Sequence, residues 1–313
     1  MPDWKILLTD GLERNGQTIL QAAAQVNDRN GIPPAELLQI IGDYDAVIVR
    51  SRTKVTAAVF AAASRLKVVG RSGVGVDNID LEAAKAHGVT VVNAPVSTSL
   101  AVAELTLGLM LALARLIPRA DAALKNGHWI KSELQGVELG DKTLGVLGMG
   151  NIGTLVAQRA LALGMQVAGY DPLLTYDEIA RSGAQPAFFD ELIAHSDFIS
   201  LHLPLTPQTR GTINAQVLYQ MKHGVRLVCT ARGGLIDEAA LLAALQSGQV
   251  AGAALDVFAH EPPGKSELVM HPKVIATPHI GAQTAEAQRR AASDIAHEVL
   301  AILRGDEPRW KVA

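Results

Sequence analysis

Residues 147–153 read Leu147-Gly148-Met149-Gly150-Asn151-Ile152-Gly153, or LGMGNIG. The apolar run Leu144-Gly145-Val146-Leu147 reads as a buried strand, and Thr154 to Ala160 reads as a helix. That strand–turn–helix context makes the spacing Gly148-x-Gly150-x-x-Gly153 informative, where the glycines alone are weak evidence. Gly148 permits the tight turn, Gly150 lets the backbone approach a pyrophosphate, and Gly153 lets the helix pack on the strand. The helix start offers free N–H groups and the positive end of a dipole. The next strand closes with Tyr170-Asp171-Pro172. Asp171 stands where a carboxylate accepts hydrogen bonds from both hydroxyls of an adenosine ribose, and a 2′-phosphate there would be repelled. No arginine follows until Arg181, so the loop predicts NAD over NADP.

Outward from this loop, strand-like and helix-like runs alternate. Upstream strands are expected at 5–9, 46–50, 66–70 and 89–93, with helices ending near Ala24, over 33–41, 55–63 and 80–87, the last stopped by Gly88. A long helix is expected over 100–117 and a second to about Asn126. The alternation restarts at Thr143, with strands at 144–147, 166–170, 198–201, 225–229, 252–255 and 274–276, and ends in an amphipathic helix over 284–304. No hairpin turn signals separate the strands. Strands joined through helices pair in parallel, so the fold class is α/β with two doubly wound parallel sheets.

A chain of 313 residues, 49 % apolar, is long for one core and predicts two domains. Its net charge of -3 gives no basic footprint for nucleic acid. Cys229 is the only cysteine, which excludes a disulfide framework and a cysteine metal site and is compatible with a reducing compartment. The histidines have no zinc-like spacing, so no metal is expected. The N-terminus has no signal-peptide pattern. The apolar stretch from Leu105 to Ala114 is too short to span a bilayer and reads as a core or interface helix. The expectation is a cytoplasmic protein with neither membrane nor nucleic-acid partner.

Three polar residues follow later strands: Arg232 after Cys229-Thr230-Ala231, Glu261 in Asp256-Val257-Phe258-Ala259-His260-Glu261, and His279 in Thr277-Pro278-His279-Ile280-Gly281. In an open α/β sheet, ligands bind beyond the carboxyl ends of strands. Their chemistry suits hydride transfer from a 2-hydroxy acid. His279 can take the hydroxyl proton as the hydride leaves the same carbon. Glu261 can bond the other ring nitrogen, fixing its tautomer and stabilising the charged ring. Arg232 can hold the substrate carboxylate through a two-pronged, charge-assisted pair. Each residue alone has a bland reading; together, after a nucleotide loop, they point to one site. His202 also follows a strand and is the weaker candidate for catalysis.

The combination GMGNIG, ARGGLIDEAALLAAL, ALDVFAHEPP and TPHIG resembles the D-isomer-specific 2-hydroxyacid dehydrogenase family, and the similarity covers essentially the whole chain. Upstream, DYDAVIVRSRTKVTAAVFAAASRLKVVGRSGVGVDNIDLEAAKAHGVTVVNAP is most similar to the branch that acts on 3-phosphoglycerate. The resemblance implies a Rossmann NAD-binding domain over 98–283, inserted into a flavodoxin-like substrate-binding domain made of 1–97 and 284–313, with the active site in the cleft between them. It implies an Arg232–Glu261–His279 catalytic set. It also implies NAD contacts at Val74, Asn151, Ile152, Asp171, Leu203, Thr230, Ala231, Arg232, Asp256, His279, Gly281 and Ala282, beside Gly148, Gly150 and Gly153. A homodimer through the NAD-binding domain follows from the same likeness.

Substrate recognition is expected in the outer domain. The loop Arg71-Ser72-Gly73-Val74-Gly75 can expose backbone N–H groups as an anion nest. By resemblance, Arg52 meets a substrate phosphate and Lys131 reaches in. The chain departs from the branch at three points. Val96-Ser97-Thr98-Ser99 replaces a typical Gly-Asn pair, putting Thr98 where a substrate-contacting asparagine usually stands. Lys131 replaces a common arginine, losing a bidentate fork. The chain ends at Ala313, so the serine-binding regulatory domain of some relatives is not expected. The alternatives are a related enzyme acting on glycerate, hydroxypyruvate or sulfolactate, and an NADH-sensing corepressor-like binding protein.

Overall fold

The structure, a computed structural model, describes residues 4–313. It divides into two compact units: residues up to 99 together with 282–313, and residues 100–281. The first segment runs β1 (Lys5–Leu8), α1 (Arg14–Gln21), β2 (Gln25–Asp28), α2 (Pro34–Ile40), β3 (Ala46–Val49), α3 (Ala57–Ala62), β4 (Val68–Arg71), α4 (Leu81–Ala86) and β5 (Thr90–Asn93). The second unit holds α5 (Ser99–Ala114, from its second residue), α6 (Ile117–Lys125), β6 (Thr143–Leu147), α7 (Asn151–Ala162), β7 (Gln166–Tyr170), α8 (Tyr176–Ala180) and β8 (Gln185–Pro186). It continues with α9 (Phe189–His195), β9 (Phe198–Leu201), α10 (Ala215–Gln220), β10 (Val225–Cys229), α11 (Glu238–Ser247), β11 (Val250–Leu255) and β12 (Val274–Ala276). The final helix, α12 (Ala285–Arg304), returns to the first unit.

Both sheets are wholly parallel, as the strand–helix alternation requires. The first has the order β2-β1-β3-β4-β5, and the second β12-β11-β10-β9-β6-β7-β8. Strands β3 and β9 are buried at every residue, as both-faced burial demands. One face of the first sheet packs Ile6, Leu8 and Val68 against Ile295, Val299 and Leu303 of α12. That helix buries Ala287, Ala291, Ile295 and Val299 along one stripe, is capped by the Thr284 hydroxyl, and stops at Gly305, whose φ is 85°. In the second unit Met110, Leu113, Val146, Val156, Ala160 and Val228 share a core under α5 and α7.

Strand β2 is absent from the sequence expectation. Its residues Gln-Val-Asn-Asp lie at a sheet edge with no fully buried position, so no apolar run announces it. The long helix expected to 117 ends at Ala114 instead. Leu116 adopts φ 54° there, and α6 restarts at an angle of 65°. Among the described residues, no single helix is long and apolar enough to cross a membrane.

Candidate active site

The chain leaves β6 for β7 and β8 on one side, then returns to place β9 on the other. This reversal of direction between β6 and β9 creates the crevice where open α/β sheets bind ligands. Gly148 and Leu203 stand at its two lips. Gly148 has φ 97°, and a Cβ there would lie 2.7–2.9 Å from the His202 carbonyl and the Leu203 nitrogen. A Cβ on Gly153 would sit 1.9 Å from the Gly148 oxygen, so helix and loop touch backbone to backbone. Around Gly150 there is no heavy atom within 4 Å of the Cβ position. The loop is therefore closed beneath and open above, as a cradle for an approaching phosphate requires. Gly150 is the N-cap of α7 and offers no side-chain acceptor, which leaves the first N–H groups, on Asn151 and Ile152, without an intrahelical partner by position.

Asp171 is pinned beside this loop. Its Oδ2 accepts the Met149 N–H at 2.9 Å and its Oδ1 accepts the Leu173 N–H at 2.9 Å. Each oxygen keeps a further lone pair for a hydroxyl donor. The open cradle and the fixed carboxylate fit an adenine dinucleotide.

Further along the same sheet edge, β10 is followed by Thr230, Ala231 and Arg232. The Thr230 hydroxyl bonds that of Thr106 on α5 at 2.8 Å, both residues being buried. The Arg232 guanidinium donates to the Ala231 carbonyl at 2.6 Å. After β11 comes Asp256, which is fully buried and accepts three hydrogen bonds. They come from the Thr277 hydroxyl (2.5 Å), the Ile280 N–H (2.9 Å) and the Gly281 N–H (2.9 Å). Its carbonyl accepts the His279 N–H at 2.9 Å. The turn 277–281 is thus wrapped around one carboxylate, and within it His279 takes φ 52°, a left-handed conformation uncommon outside glycine. Thr277 was not singled out by sequence reasoning. Its only signal is its place in TPHIG, and that meaning emerges once its partner Asp256 is known.

His279 Nδ1 lies 2.8 Å from Glu261 Oε2. The other carboxylate oxygen, Oε1, accepts the Phe258 N–H at 3.1 Å. Burial pushes the Glu261 carboxyl up, but the bonds from His279 and Phe258, with the charges of His279 and Arg232, outweigh it and hold the group below its ordinary value. With Nδ1 engaged, Nε2 is the ring nitrogen left for chemistry. His202 is different: burial drives its imidazole down to about 3, and its Nε2 meets the Ser200 hydroxyl at 2.8 Å. A ring so disposed stays neutral.

The residues expected to read the substrate fall in both units. Arg52 donates to Asp10 Oδ1 (2.9 Å), the Thr9 carbonyl (2.5 Å) and Asn30 (3.3 Å). Burial pushes the Asp10 carboxyl up, yet the Thr53 hydroxyl, the Arg50 and Thr53 N–H groups and Arg52 together bring it below its usual value. The guanidinium is held in place while its side chain stays 55 % exposed. The expected nest at 71–75 is narrower than anticipated. The Ser72 N–H bonds the Val49 carbonyl at 2.9 Å and the Gly73 N–H bonds the Arg71 carbonyl at 2.8 Å, so of this loop only the Val74 and Gly75 N–H groups are left without a backbone acceptor. Gly73 itself has φ 144° and its Cβ position is filled by the Arg71 guanidinium. Thr98 is buried, and its neighbour Ser97 is tied to α12 by a 2.5 Å bond to Asp294 and a 3.0 Å bond from Arg290. Lys131 is exposed in the second unit, and Ala282 begins the segment that returns to the first.

Residues 107–281 match the family model of the D-isomer specific 2-hydroxyacid dehydrogenase, NAD binding domain. A D-3-phosphoglycerate dehydrogenase of Rattus norvegicus is 49 % identical over 302 residues, 96 % of this chain and 57 % of that protein. The chain spans little more than half the length of the curated relatives it matches. A glyoxylate reductase from Paecilomyes thermophila superposes with a TM-score of 0.91 at 33 % identity, over 100 % of this chain and 99 % of that one. A D-lactate dehydrogenase of Aquifex aeolicus, crystallised with NAD and lactic acid, gives 0.84 at 32 % identity over 96 % of each chain. With the nucleotide cradle, the parallel sheets and these matches together, the chain belongs to the D-isomer-specific 2-hydroxyacid dehydrogenase family, and residues 107–281 carry its NAD-binding domain.

Proposed function

We propose that this chain oxidises D-3-phosphoglycerate to 3-phosphohydroxypyruvate with NAD, the reaction that opens phosphorylated serine synthesis. The observation that carries the reading is the His279–Glu261 pair, 2.8 Å apart, at the same sheet edge as Arg232 and the Gly148–Gly153 cradle. The likeness to phosphoglycerate dehydrogenases, 45–49 % identical over 96 % of the chain, supports the choice of substrate.

Bound NAD would supply the hydride acceptor. His279 Nε2 takes the hydroxyl proton of the substrate and returns it in the reverse direction. Glu261 holds the ring through Nδ1 and stabilises its protonated form. Arg232 holds the substrate carboxylate with a charge-assisted pair, and the Val74 and Gly75 N–H groups are anion donors of the first unit. Arg52, already fixed by Asp10, binds the phosphate, and Lys131 adds a point charge. The cofactor contacts are those of Gly148 to Gly153, Asp171, Leu203, Thr230, Ala231, Gly281 and Ala282. Asp256 serves by shaping the turn that bears His279.

One observation favours a second substrate. Thr98 stands where the phosphoglycerate branch typically carries asparagine, which leaves room for a related short acid such as glycerate, hydroxypyruvate or sulfolactate. We also propose a cytoplasmic homodimer joined through the second unit, where Leu111, Ile117, Leu124 and Trp129, on α5, α6 and the segment after it, are each exposed. Rates of NADH formation from 3-phosphoglycerate and from glycerate test the reading. A kcat/KM at least tenfold higher for the phosphorylated acid is expected, and no preference removes 3-phosphoglycerate as the substrate.

A further inference from the structure

Glu238 has no place in the mechanism above, yet its side chain reaches into it. It is the first residue of α11, whose N-cap is supplied by Asp237, the acceptor for the Ala239 and Ala240 N–H groups at 3.0 Å each. A glutamate at this position ordinarily extends along the helix end, where the dipole favours it. Here its Oε1 accepts instead from the Ala259 N–H at 2.7 Å, from a residue 21 positions further along the chain.

Ala259 lies inside the segment that bears Glu261. The peptide joining Phe258 to Ala259 is held on both sides. Its N–H meets Glu238, and its carbonyl lies against Gly233, the residue directly after Arg232. A Cβ on Gly233 would stand 1.9 Å from the Phe258 oxygen and 2.7 Å from the Ala259 nitrogen, so only glycine admits this approach. One residue back, the Phe258 N–H donates to the Glu261 carboxylate at 3.1 Å. A small cavity beneath the Arg232 loop is lined by Arg232, Gly233, Glu238 and Val257, so the Glu238 side chain borders open space there.

We propose that Glu238 is a positioning residue: by gripping the Ala259 N–H it registers the Glu261 loop against the Arg232 loop, and so holds Glu261 at bonding distance from His279. The inference rests on the roles proposed above for those three residues. Displacing a positioned group by about 1 Å can cost about 100-fold in rate, so a single well-placed anchor outside the site matters. Glu261 meets the His279 ring through its 2.8 Å contact, Arg232 acts on Glu261, and the Asp256 carboxylate holds the Ile280 and Gly281 N–H groups of the same turn.

The test is a titration of the His279 ring by NMR, alongside pH–rate profiles and NADH binding, in wild type, Glu238→Ala and Glu238→Gln. Loosening Glu261 withdraws support from the protonated ring, so Glu238→Ala should move the His279 midpoint to lower pH. It should lower kcat about 10-fold, with the NADH dissociation constant unchanged. Glu238→Gln keeps an acceptor oxygen and should stay within about threefold of wild type. Glu238→Ser, which suits a helix start, gives the same comparison where the alanine variant does not fold. An unmoved His279 midpoint in the alanine or serine variant overturns the proposal. So does a glutamine variant as impaired as the alanine one. The ring titration needs no substrate, so it judges this inference separately from the choice of 3-phosphoglycerate.

Discussion

Two buried aspartates, one in each unit, do similar work at similar places. Asp10 follows β1, its side chain 4 % exposed, and gathers the Arg50 and Thr53 N–H groups and the Thr53 hydroxyl. Asp256 follows β11, fully buried, and gathers the Ile280 and Gly281 N–H groups and the Thr277 hydroxyl. Each satisfies its oxygens with two backbone N–H groups and a threonine hydroxyl, Asp10 adding the Arg52 guanidinium, which is how a carboxylate is tolerated away from water. What they anchor differs. Asp10 fixes a guanidinium, a group that carries charge at any physiological pH. Asp256 fixes the turn of an imidazole, a group that can exchange a proton near neutrality. On the roles proposed above, the same structural device would serve anion recognition in one unit and acid–base chemistry in the other.

The comparison breaks first at Asp256. Asp256→Asn leaves the turn without one of its acceptors, so kcat should fall by about 100-fold while NADH still binds, measured by stopped-flow and fluorescence titration. Loss of NADH binding with an unaltered chemical step would make Asp256 a cofactor contact instead. Asp10→Asn should act through substrate binding. KM for 3-phosphoglycerate should rise about 10-fold with kcat nearly unchanged, because a charge-assisted hold on Arg52 is lost. The same change in KM for glycerate, which has no phosphate, would sever the link between Asp10 and phosphate recognition.

Acid separates the units by pH window, both contributions being lost as pH falls. The folded His202 has its pKa depressed to about 3, so the unfolded chain binds a proton that the folded one refuses. Stability from this group is complete above about 6.5 and drains away as pH falls toward 3, by a few kcal/mol at most. The Asp10 carboxyl is also depressed, so its contribution persists above the ordinary carboxylate range and is lost only as pH falls through its lowered value. Hydrogen exchange should therefore show the 100–281 unit loosening near pH 5 before the other. His202→Phe should abolish that early loosening; an unchanged order of loosening would count against the argument. The smallest expected effect is at the cradle. Asn151→Arg should tighten NAD binding a few-fold, about 1 kcal/mol, by adding a charge-assisted donor beside the pyrophosphate. Unchanged titration curves would mean that the backbone N–H groups and the helix end already suffice.

Much of this was legible in the sequence because buried parallel strands are near-continuous apolar runs, and those runs recur between helical stretches. The glycine spacing at 148–153 was legible for a steric reason: two of its glycines meet backbone atoms that leave no room for a Cβ. Strand β2 escaped because an edge strand of Gln25, Val26, Asn27 and Asp28 carries no apolar signal. The break at Leu116 escaped because an apolar helix gives no periodic cue to where it ends. At 71–75 the small residues correctly marked a tight loop, but composition cannot say which N–H groups the neighbouring carbonyls of Val49 and Arg71 will take. Contacts between residues far apart in sequence, such as Glu238 with Ala259 or Asp256 with Gly281, have no local signature at all.

The account stands on His279 and Glu261 acting as one acid–base unit. Its most direct test is the pH dependence of kcat for wild type and Glu261→Gln, measured in the oxidation direction. Oxidation needs the neutral ring, and Glu261 favours the protonated one. Removing its charge should therefore shift the rising limb to lower pH and reduce the plateau rate. A Glu261→Gln profile superimposable on that of wild type would contradict the account.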